Sequence, residues 1–543
     1  MSMKRREIIK SLTVLPFAGG FIPGVIPAAN GATEDGTTAG PLSLGADIYQ
    51  SIGVEPIINC RGTFTIIGGS IERPEVVAAM KAASGNFVQY DEVAFGIGRK
   101  LAELTGAEWG MVSSGCAAGM KHVTAACVTG GNPEKLIRIP DLTGFEKTEV
   151  IIPAYSRNVY DHALRNIGVT IITVETAEEF EKAINSRTAM IYLMTGPESD
   201  PGQPLSLEVM AKIAKPKNIP ILADAAAEIL TLPNVHLKQG ATVVVYSGGK
   251  ALCGPQCAGL LLGSKDILMS AWQASSPHHG PGRDNKVGKE EMMGMLAAVE
   301  AWKSRDHQAE WKTWLSYLDN ITTRVSKIEG VKTSVEEPKE LSNRSPVLHI
   351  SWDPAKLHIT GEELAEKFAR TKPRIAIGGH SEPGTTSISI ATGQMQPGND
   401  KIVADRIFEE LSQKRSPVSA DLKPASVKLG GHWDVTVEFF SSKSEHKLFM
   451  EQDGNWINGT HQSDFSLQEV VGMVEGDQVK LRSSMRAPGD NITMMFSGTV
   501  SGDTISGSIY MGEYLTAKFT AKRSSYKGGK RRIVIPGGPP LAT

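Results

Sequence analysis

The sequence predicts an α/β protein: a large domain with a mainly parallel sheet, a smaller α+β domain after it, and an antiparallel β-barrel at the C-terminal end. Three observations carry this. Between Trp109 and Gly263, short apolar runs alternate with segments of helical pattern, the rhythm of strands joined by crossover helices. Ser416 to Lys428 is polar, contains two prolines and reads as a linker. Beyond it, about eight short strands follow with tight-turn residues such as Asp453-Gly454 and Gly502-Asp503 between them, a pattern that suits a small closed barrel.

Composition narrows the function classes. A chain of 543 residues has room for two or three domains, and 41% hydrophobic with 21% charged residues is ordinary for a globular protein. A formal net charge of -2 gives no reason to expect nucleic acid as a partner. Of the five cysteines, only Cys253 and Cys257 are close together, which makes neither a disulfide framework nor a zinc site. No run is long enough to span a membrane as a mature segment.

The chain opens with Lys4-Arg5-Arg6-Glu7-Ile8-Ile9-Lys10, a weakly apolar stretch from Ser11 to Ile26, and small residues from Pro27 to Ala32. The paired arginines with the apolar pair and lysine after them resemble a twin-arginine export signal; a flexible basic tail is the alternative. The resemblance implies the twin-arginine export machinery as a partner and a periplasmic or otherwise exported location. That pathway carries folded proteins. Residues 1–41 are set aside as leader.

From Leu42 the elements follow in order. Pro56 to Gly62 is a strand entering a turn, Arg73 to Ala83 a helix with Pro74 in its first turn, and Ile97 to Thr105 a second helix. Trp109 to Val112 is a strand, followed by Ser113-Ser114-Gly115-Cys116-Ala117-Ala118-Gly119 and a helix to Val128. A strand, a small-residue turn and a helix start make a ready anion site, because free backbone N–H groups and the helix dipole face the ligand. The P-loop lysine motif and the dinucleotide glycine pattern are both missing, so a phosphate on a cofactor fits better than a nucleotide; close packing at a helix start is the plain alternative. Strands at Val150–Pro153, Val169–Val174, Ala189–Met194 and Ile219–Ala223 alternate with helices at Asp161–Ile167, Ala177–Ile184 and Leu207–Ala214. The last of these strands ends in Asp224, a candidate site residue or a helix N-cap.

Thr242 to Tyr246 is a β-branched run, read as a buried strand, that ends in Ser247-Gly248-Gly249-Lys250. Burial disfavours an ammonium, so a lysine there can serve as a neutral amine that forms a Schiff base; a surface lysine in a strand-to-strand turn is the alternative. The flanking glycines would let a bulky ligand approach the backbone. In parallel sheets ligands sit at the carboxyl ends of strands. Asp224, Lys250 and the turn at Ser114 to Ala117 all lie at such ends.

Anion cup, strand-end aspartate and strand-end lysine, in this order, is the arrangement of fold-type I pyridoxal-phosphate enzymes. The lysine would hold the aldehyde, the aspartate would pair with the ring nitrogen, and the helix start would hold the phosphate. Ser247-Gly248-Gly249-Lys250 with Gly254-Pro255-Gln256 and Ala258-Gly259 resembles the lysine motif of the selenocysteine synthase family, which includes D-glucosaminate-6-phosphate ammonia-lyase-like proteins. Ile58-Asn59 with Gly62 resembles that family's entry motif. Gly106-Ala107-Glu108 and Ser114-Gly115-Cys116-Ala117-Ala118-Gly119 resemble its phosphate cup. Gly282-Arg283 with Lys286-Val287-Gly288-Lys289-Glu290-Glu291 resembles the ammonia-lyase-like branch. The resemblance runs from Asp47 to Leu411 and implies pyridoxal 5'-phosphate, a homodimer or higher homo-oligomer, and a large domain followed by a small one.

By that resemblance Lys250 and Asp224 are catalytic, and Ser114, Gly115, Cys116, Ala117 and Ser247 bind the cofactor with them. Tyr155 and His162 are candidates for covering the ring face, with plain packing the alternative for each. Arg283, Lys286 and Lys289 could hold an anionic part of the substrate or reach a neighbouring subunit; a solvated basic loop is the alternative. His278-His279 lacks metal-pair spacing and a third ligand. Arg374 could hold a substrate carboxylate, or form a surface salt bridge.

The expected domains are 42–328 for the cofactor-binding part, 329–415 for the small domain, 416–429 for the linker, 430–524 for the barrel and 525–543 for a basic flexible tail. Gly431-His432-Trp433-Asp434-Val435 gives the barrel a lipocalin-like start. The expected function is a pyridoxal-phosphate lyase acting at the α and β carbons of an amino acid or amino sugar acid. A transferase of the selenocysteine synthase or aminotransferase kind, or a cofactor-binding protein without catalysis, are the alternatives. Selenocysteine synthesis itself is disfavoured, because an exported protein is separated from charged tRNA and no basic, aromatic-interleaved surface is apparent.

Overall fold

The structure is a computed structural model, and it describes residues 42–46, 48–417 and 422–526. The leader with Arg5 and Arg6 and the basic tail from Lys527 lie outside the described residues. The chain divides into two compact units, with the division between residues 417 and 418.

The first unit is built on a seven-stranded sheet. Its strands are β2 (Trp109–Ser113), β3 (Glu149–Pro153), β4 (Thr170–Val174), β5 (Thr188–Met194), β6 (Ile221–Asp224), β7 (Val243–Ser247) and β8 (Gly259–Gly263), and a short first strand, β1 (Ile57–Asn59), lies outside it. The order across the sheet is β2-β8-β7-β6-β5-β3-β4. Neighbours from β7 to β4 run parallel, and β8 alone runs against β2 and β7. The sheet is therefore mainly parallel, as its continuous apolar strands lead one to expect. Every residue of β2, β3, β6 and β8 is buried, so both faces are covered. Helix Cys116–Thr129 is buried along almost its whole length. Pro74 begins helix Pro74–Ser84, where its missing N–H costs nothing.

A second sheet, in the order β12-β13-β10-β9, belongs to the small domain: β9 (Lys332–Glu336), β10 (Val347–Trp352), β12 (Gly378–Glu382) and β13 (Thr385–Ala391). Between β10 and β12, β11 (Arg374–Ala376) pairs in parallel with β1. Chain order placed β1 with the large domain, yet Ile58 and Cys60 pack with the core of Ile350, Phe368 and Ile388. Helix His307–Val325 also gives Leu318, Ile321 and Val325 to that core. The core of the small domain thus takes in two stretches of chain from before its expected start at residue 329.

The second unit is a closed antiparallel barrel of eight strands in sequence order: β14 (Gly431–Glu438), β15 (Lys443–Asp453), β16 (Trp456–Gln462), β17 (Leu467–Glu475), β18 (Gln478–Ala487), β19 (Asp490–Ser501), β20 (Thr504–Tyr510) and β21 (Thr516–Arg523). Alternate residues point inward, and Trp433, Leu448, Phe496 and Phe519 fill the interior. Pairing of β14 with β21 closes the ring and leaves no free edge. Among the described residues no helix is long and apolar enough to cross a membrane.

Candidate active site

Four strand ends converge on one edge of the large sheet. Strand β6 delivers Asp224 as its last residue, β7 delivers Ser247 with Lys250 three residues on, and β2 leads through Ser114 and Gly115 into helix Cys116–Thr129. Strand β5 passes beside β6 and brings Tyr192 and Thr195.

Asp224 is 3% exposed. Its Oδ2 accepts a hydrogen bond from the Tyr192 hydroxyl at 2.9 Å, and its Oδ1 accepts from the Ala226 N–H at 3.0 Å and from the Cys116 thiol at 3.5 Å. Thr195 fixes the backbone, its N–H and its hydroxyl each donating to the Asp224 carbonyl at 3.0 Å. Burial pushes the Asp224 carboxyl upward, against the opposing pull of Tyr192, Ala226, Cys116 and the Lys250 charge. All its direct partners are neutral, and among the described residues no cation pairs with it. A helix N-cap role is excluded, because the chain makes a turn at Ala226 and the next helix is Val235–Gln239.

Lys250 is half-buried, and its ammonium makes no hydrogen bond or ion pair among the described residues. Its charge lowers the titration of both Asp224 and Cys116, which places it at the same centre. The turn that carries it is clamped: Gly248 N–H donates to Ala258 O at 2.8 Å, Gly254 N–H to Gly248 O at 2.8 Å, and Ser70 N–H to Gly249 O at 3.0 Å.

The glycines of this turn do a different job from the one expected. A Cβ on Gly249 would lie 2.6 Å from Gln256 Cα, and one on Gly248 would lie 2.8 Å from Ala258 O and 2.7 Å from Met295 Sδ. They admit neighbouring protein rather than a ligand. Gly115 is the glycine that faces open space: its φ is +84°, and nothing lies within 4 Å of where a Cβ would be. Beside it, a Cβ on Gly259 would lie 2.5 Å from the Gly115 carbonyl carbon, so β8 presses against the back of the cup. The first N–H groups of helix Cys116–Thr129 have no acceptor within the helix and carry the positive end of its dipole.

These residues fit pyridoxal phosphate. A buried carboxylate hydrogen-bonded only by neutral groups suits a protonated ring nitrogen, a half-buried amine with no hydrogen bond or ion pair among the described residues suits an aldehyde, and an open glycine cup at a helix start suits a phosphate. The Cys116 contact to Asp224 ties the cup to the carboxylate directly. Burial and the neighbouring carboxylate push the Cys116 thiol well up, so it acts as a neutral donor.

The other expected residues are scattered. Tyr155 stands just past the end of β3, half-buried, with its hydroxyl donating to Leu205 O at 2.9 Å. His162 is exposed on helix Asp161–Arg165. Arg283 and Lys286 are exposed in the loop before helix Lys289–Ser304, with no side-chain partner among the described residues. Lys289 is taken up by Ala83 O at 3.0 Å and by Glu290. Arg374 donates to Ala369 O at 2.7 Å and Glu55 O at 3.2 Å, contacts that tie the start of β11 rather than hold a substrate. The sequence reading missed Tyr192, Thr195 and Asn158, whose amide donates to the Tyr192 hydroxyl at 3.3 Å. A tyrosine within an apolar strand was the only signal, since a buried hydroxyl needs a partner.

Comparison with known proteins bears on the fold and the class of enzyme. The class-V aminotransferase family model matches residues 159–287. D-glucosaminate-6-phosphate ammonia lyase of Salmonella typhimurium is 29% identical over 299 residues, covering 54% of this chain and 78% of the relative. L-seryl-tRNA(Sec) selenium transferase of Moorella thermoacetica is 25% identical over 354 residues, covering 56% of this chain and 69% of the relative. A solved structure of D-glucosaminate-6-phosphate ammonia-lyase superposes with a TM-score of 0.60 at 25% identity, covering 67% of this chain and 98% of that one. The chain is a pyridoxal-phosphate-dependent enzyme built on a fold-type I domain, similar to D-glucosaminate-6-phosphate ammonia-lyase and to selenocysteine synthase-like enzymes.

Proposed function

We propose that the protein is an exported lyase that eliminates a group at the α and β carbons of an amino acid or amino sugar acid. The observation that carries this is the placement, at the ends of adjacent strands, of a buried Asp224 held by neutral donors and a Lys250 that makes no hydrogen bond or ion pair among the described residues. The bound cofactor supplies an aldehyde that condenses with amines and a ring that draws electrons from the substrate's α-carbon. Asp224 holds the ring nitrogen's proton by charge pairing. Lys250 Nζ anchors the aldehyde and, as a free amine, accepts the proton from the substrate's α-carbon. The N–H groups of Cys116 and Ala117, with Gly115, Ser114 and the Ser247 hydroxyl, hold the phosphate. Arg283 and Lys286, exposed and without a side-chain partner among the described residues, are the groups we assign to an anionic part of the substrate, in this subunit or in a neighbouring copy of a homo-oligomer. Tyr155 and His162 remain candidates for the ring face.

The similarity to an ammonia lyase supports elimination, and the similarity to a selenium transferase supports replacement at the β-carbon as a second reading. A screen of amino acids and amino sugar acids for ammonia release decides between them: elimination releases ammonia from a single substrate, while replacement needs an added nucleophile. Silence of the whole panel, both with and without an added nucleophile, would remove both readings for these substrates. Export rests on Arg5 and Arg6; with both changed to lysine, full-length protein is expected to stay inside the cell, and normal export of that variant would remove the twin-arginine reading. The barrel is read as lipocalin-like from its Gly431–Val435 start.

A further inference from the structure

Asp224 has three donors on it: the Tyr192 hydroxyl on Oδ2, and the Ala226 N–H and the Cys116 thiol on Oδ1. A carboxylate accepts about four hydrogen bonds, so a place is left on Oδ2 beside Tyr192. The Ala226 N–H can only donate. The Tyr192 hydroxyl can rotate, and it donates or accepts according to what else surrounds it.

Tyr192 is fully buried. Among the described residues its oxygen has two side-chain partners, Asp224 Oδ2 at 2.9 Å and Asn158 Nδ2 at 3.3 Å. The Asn158 amide can sit only one way round. Its Oδ1 accepts from the Tyr160 N–H at 2.8 Å, and its Nδ2 donates to the Ser156 carbonyl at 2.8 Å. Turned over, an oxygen would face a carbonyl and an NH2 group would face an N–H. The group before the Tyr192 hydroxyl is therefore an N–H, which offers no acceptor, so the hydroxyl proton goes to Asp224. The turn that carries Asn158 is itself tied to the strand of Tyr192. The Met194 N–H donates to Ser156 Oγ at 3.0 Å, and Ser156 is fully buried.

The donors thus run in one direction, from Asn158 to Tyr192 to Asp224, and each polarises the next. Burial works against the Asp224 charge, so every donor aimed at it counts. The titratable groups that face Asp224 are Tyr192 from β5, Cys116 from the cup helix and Lys250 from the lysine turn. Beside Asn158 stand Arg157 and Asp161, which pair with each other.

We propose that Asn158 is a positioning residue of the catalytic centre: it fixes the Tyr192 hydroxyl as a donor to Asp224, and so keeps the Asp224 charge available to the cofactor's ring nitrogen. The proposal rests on the pairing of Asp224 with that nitrogen. Without Asn158 the hydroxyl is free to turn, the carboxylate holds its charge less well, and the proton it shares with the ring nitrogen moves toward Asp224. A turn-building role alone, through Ser156 and Tyr160, would leave that proton where it is.

The test is the NMR signal of the ring nitrogen in isotope-labelled pyridoxal phosphate bound to the full-length protein. Its position reports whether that nitrogen carries a proton. In the parent the signal is expected at the protonated position. Two variants are compared with it. Asn158→Asp keeps the acceptor for the Tyr160 N–H but puts a second acceptor before the Tyr192 hydroxyl; Asn158→Ala removes the side chain's hydrogen bonds. In both, the ratio of protonated to unprotonated nitrogen is expected to fall severalfold, the worth of one hydrogen bond. In a Tyr192→Phe background Asn158→Ala should add nothing, because its effect runs through that hydroxyl. A protonated parent with an unmoved signal in both variants overturns the proposal and leaves the Asp224 pairing intact. So does an equal effect of Asn158→Ala with and without the Tyr192 hydroxyl, or loss of cofactor from both variants, which would make Asn158 a builder of the turn only. An unprotonated parent that matches Asp224→Asn would remove the pairing itself, and the proposal with it.

Discussion

Changing Asp224 to asparagine removes a charge and almost nothing else. The side chain is buried and held by three neutral donors. In Asp224→Asn the carbonyl oxygen keeps the Ala226 N–H. The new NH2 group faces the Tyr192 hydroxyl, which turns from donor to acceptor. Shape and packing survive. The ring nitrogen, however, loses an anionic partner. A hydrogen bond to a charged group is worth roughly 1.5–3 kcal/mol against about half that for a neutral one, and in a buried site the upper end applies. A loss of about 2.7 kcal/mol is a ~100-fold slower reaction. Cofactor loading depends on Lys250 and the phosphate cup, so it stays near normal. The assay is NMR-detected exchange of a substrate's α-proton for deuterium, alongside cofactor occupancy by absorbance. Full occupancy with exchange within ~3-fold of the parent would refute the charge-pairing role of Asp224.

Three further perturbations follow from contacts at the site and in the barrel. Tyr192→Phe removes the 2.9 Å bond to Asp224 Oδ2; the carboxylate becomes harder to keep ionised, so the acid limb of the rate profile moves to higher pH, and an unmoved limb would show that the bond does not matter to the charge. Gly249→Ala sets a methyl 2.6 Å from Gln256 Cα, which displaces the lysine turn; cofactor absorbance is expected to fall severalfold at fixed cofactor concentration, and normal loading would mean that the turn gives way freely. His461 is fully buried and held down to about 4 by burial and by His446. A depressed histidine contributes stability that is complete above the unfolded value of about 6.5 and is lost as pH falls toward the folded value, here roughly 3 kcal/mol. Barrel unfolding followed by denaturant titration should therefore ease between pH 6.5 and 4, and His461→Leu should flatten that slope; an unchanged slope contradicts the buried-neutral assignment.

The site was legible where chain chemistry is local. Lys250 and Asp224 sit at the ends of apolar β-branched runs, and strand ends of a parallel sheet are where ligands go. The run of small residues between an apolar strand and a helix start marked the cup, because free N–H groups and the helix dipole meet there. The barrel was legible because period-two patterning and tight turns repeat without interruption. What stayed hidden depended on contacts distant in sequence. Tyr192 reaches Asp224 across 32 positions, and nothing in an apolar strand says which carboxylate its hydroxyl will meet. Gly248 and Gly249 looked like room for a ligand, but that room is filled by Gln256 and Met295. The reversed direction of β8 is set by its short connection to β7, which allows only an antiparallel return. The pairing of β1 with β11 joins residues more than three hundred positions apart, beyond the reach of any local pattern.

The attachment of the cofactor to Lys250 tests the account most directly. The protein, purified with its cofactor, is reduced with borohydride, digested and read by mass spectrometry. The expected result is the cofactor's mass fixed on the peptide that contains Lys250, with visible absorbance and adduct both absent in Lys250→Ala. Cofactor fixed to another residue, such as Lys289, or absorbance that persists in Lys250→Ala with no adduct on this peptide, would contradict it.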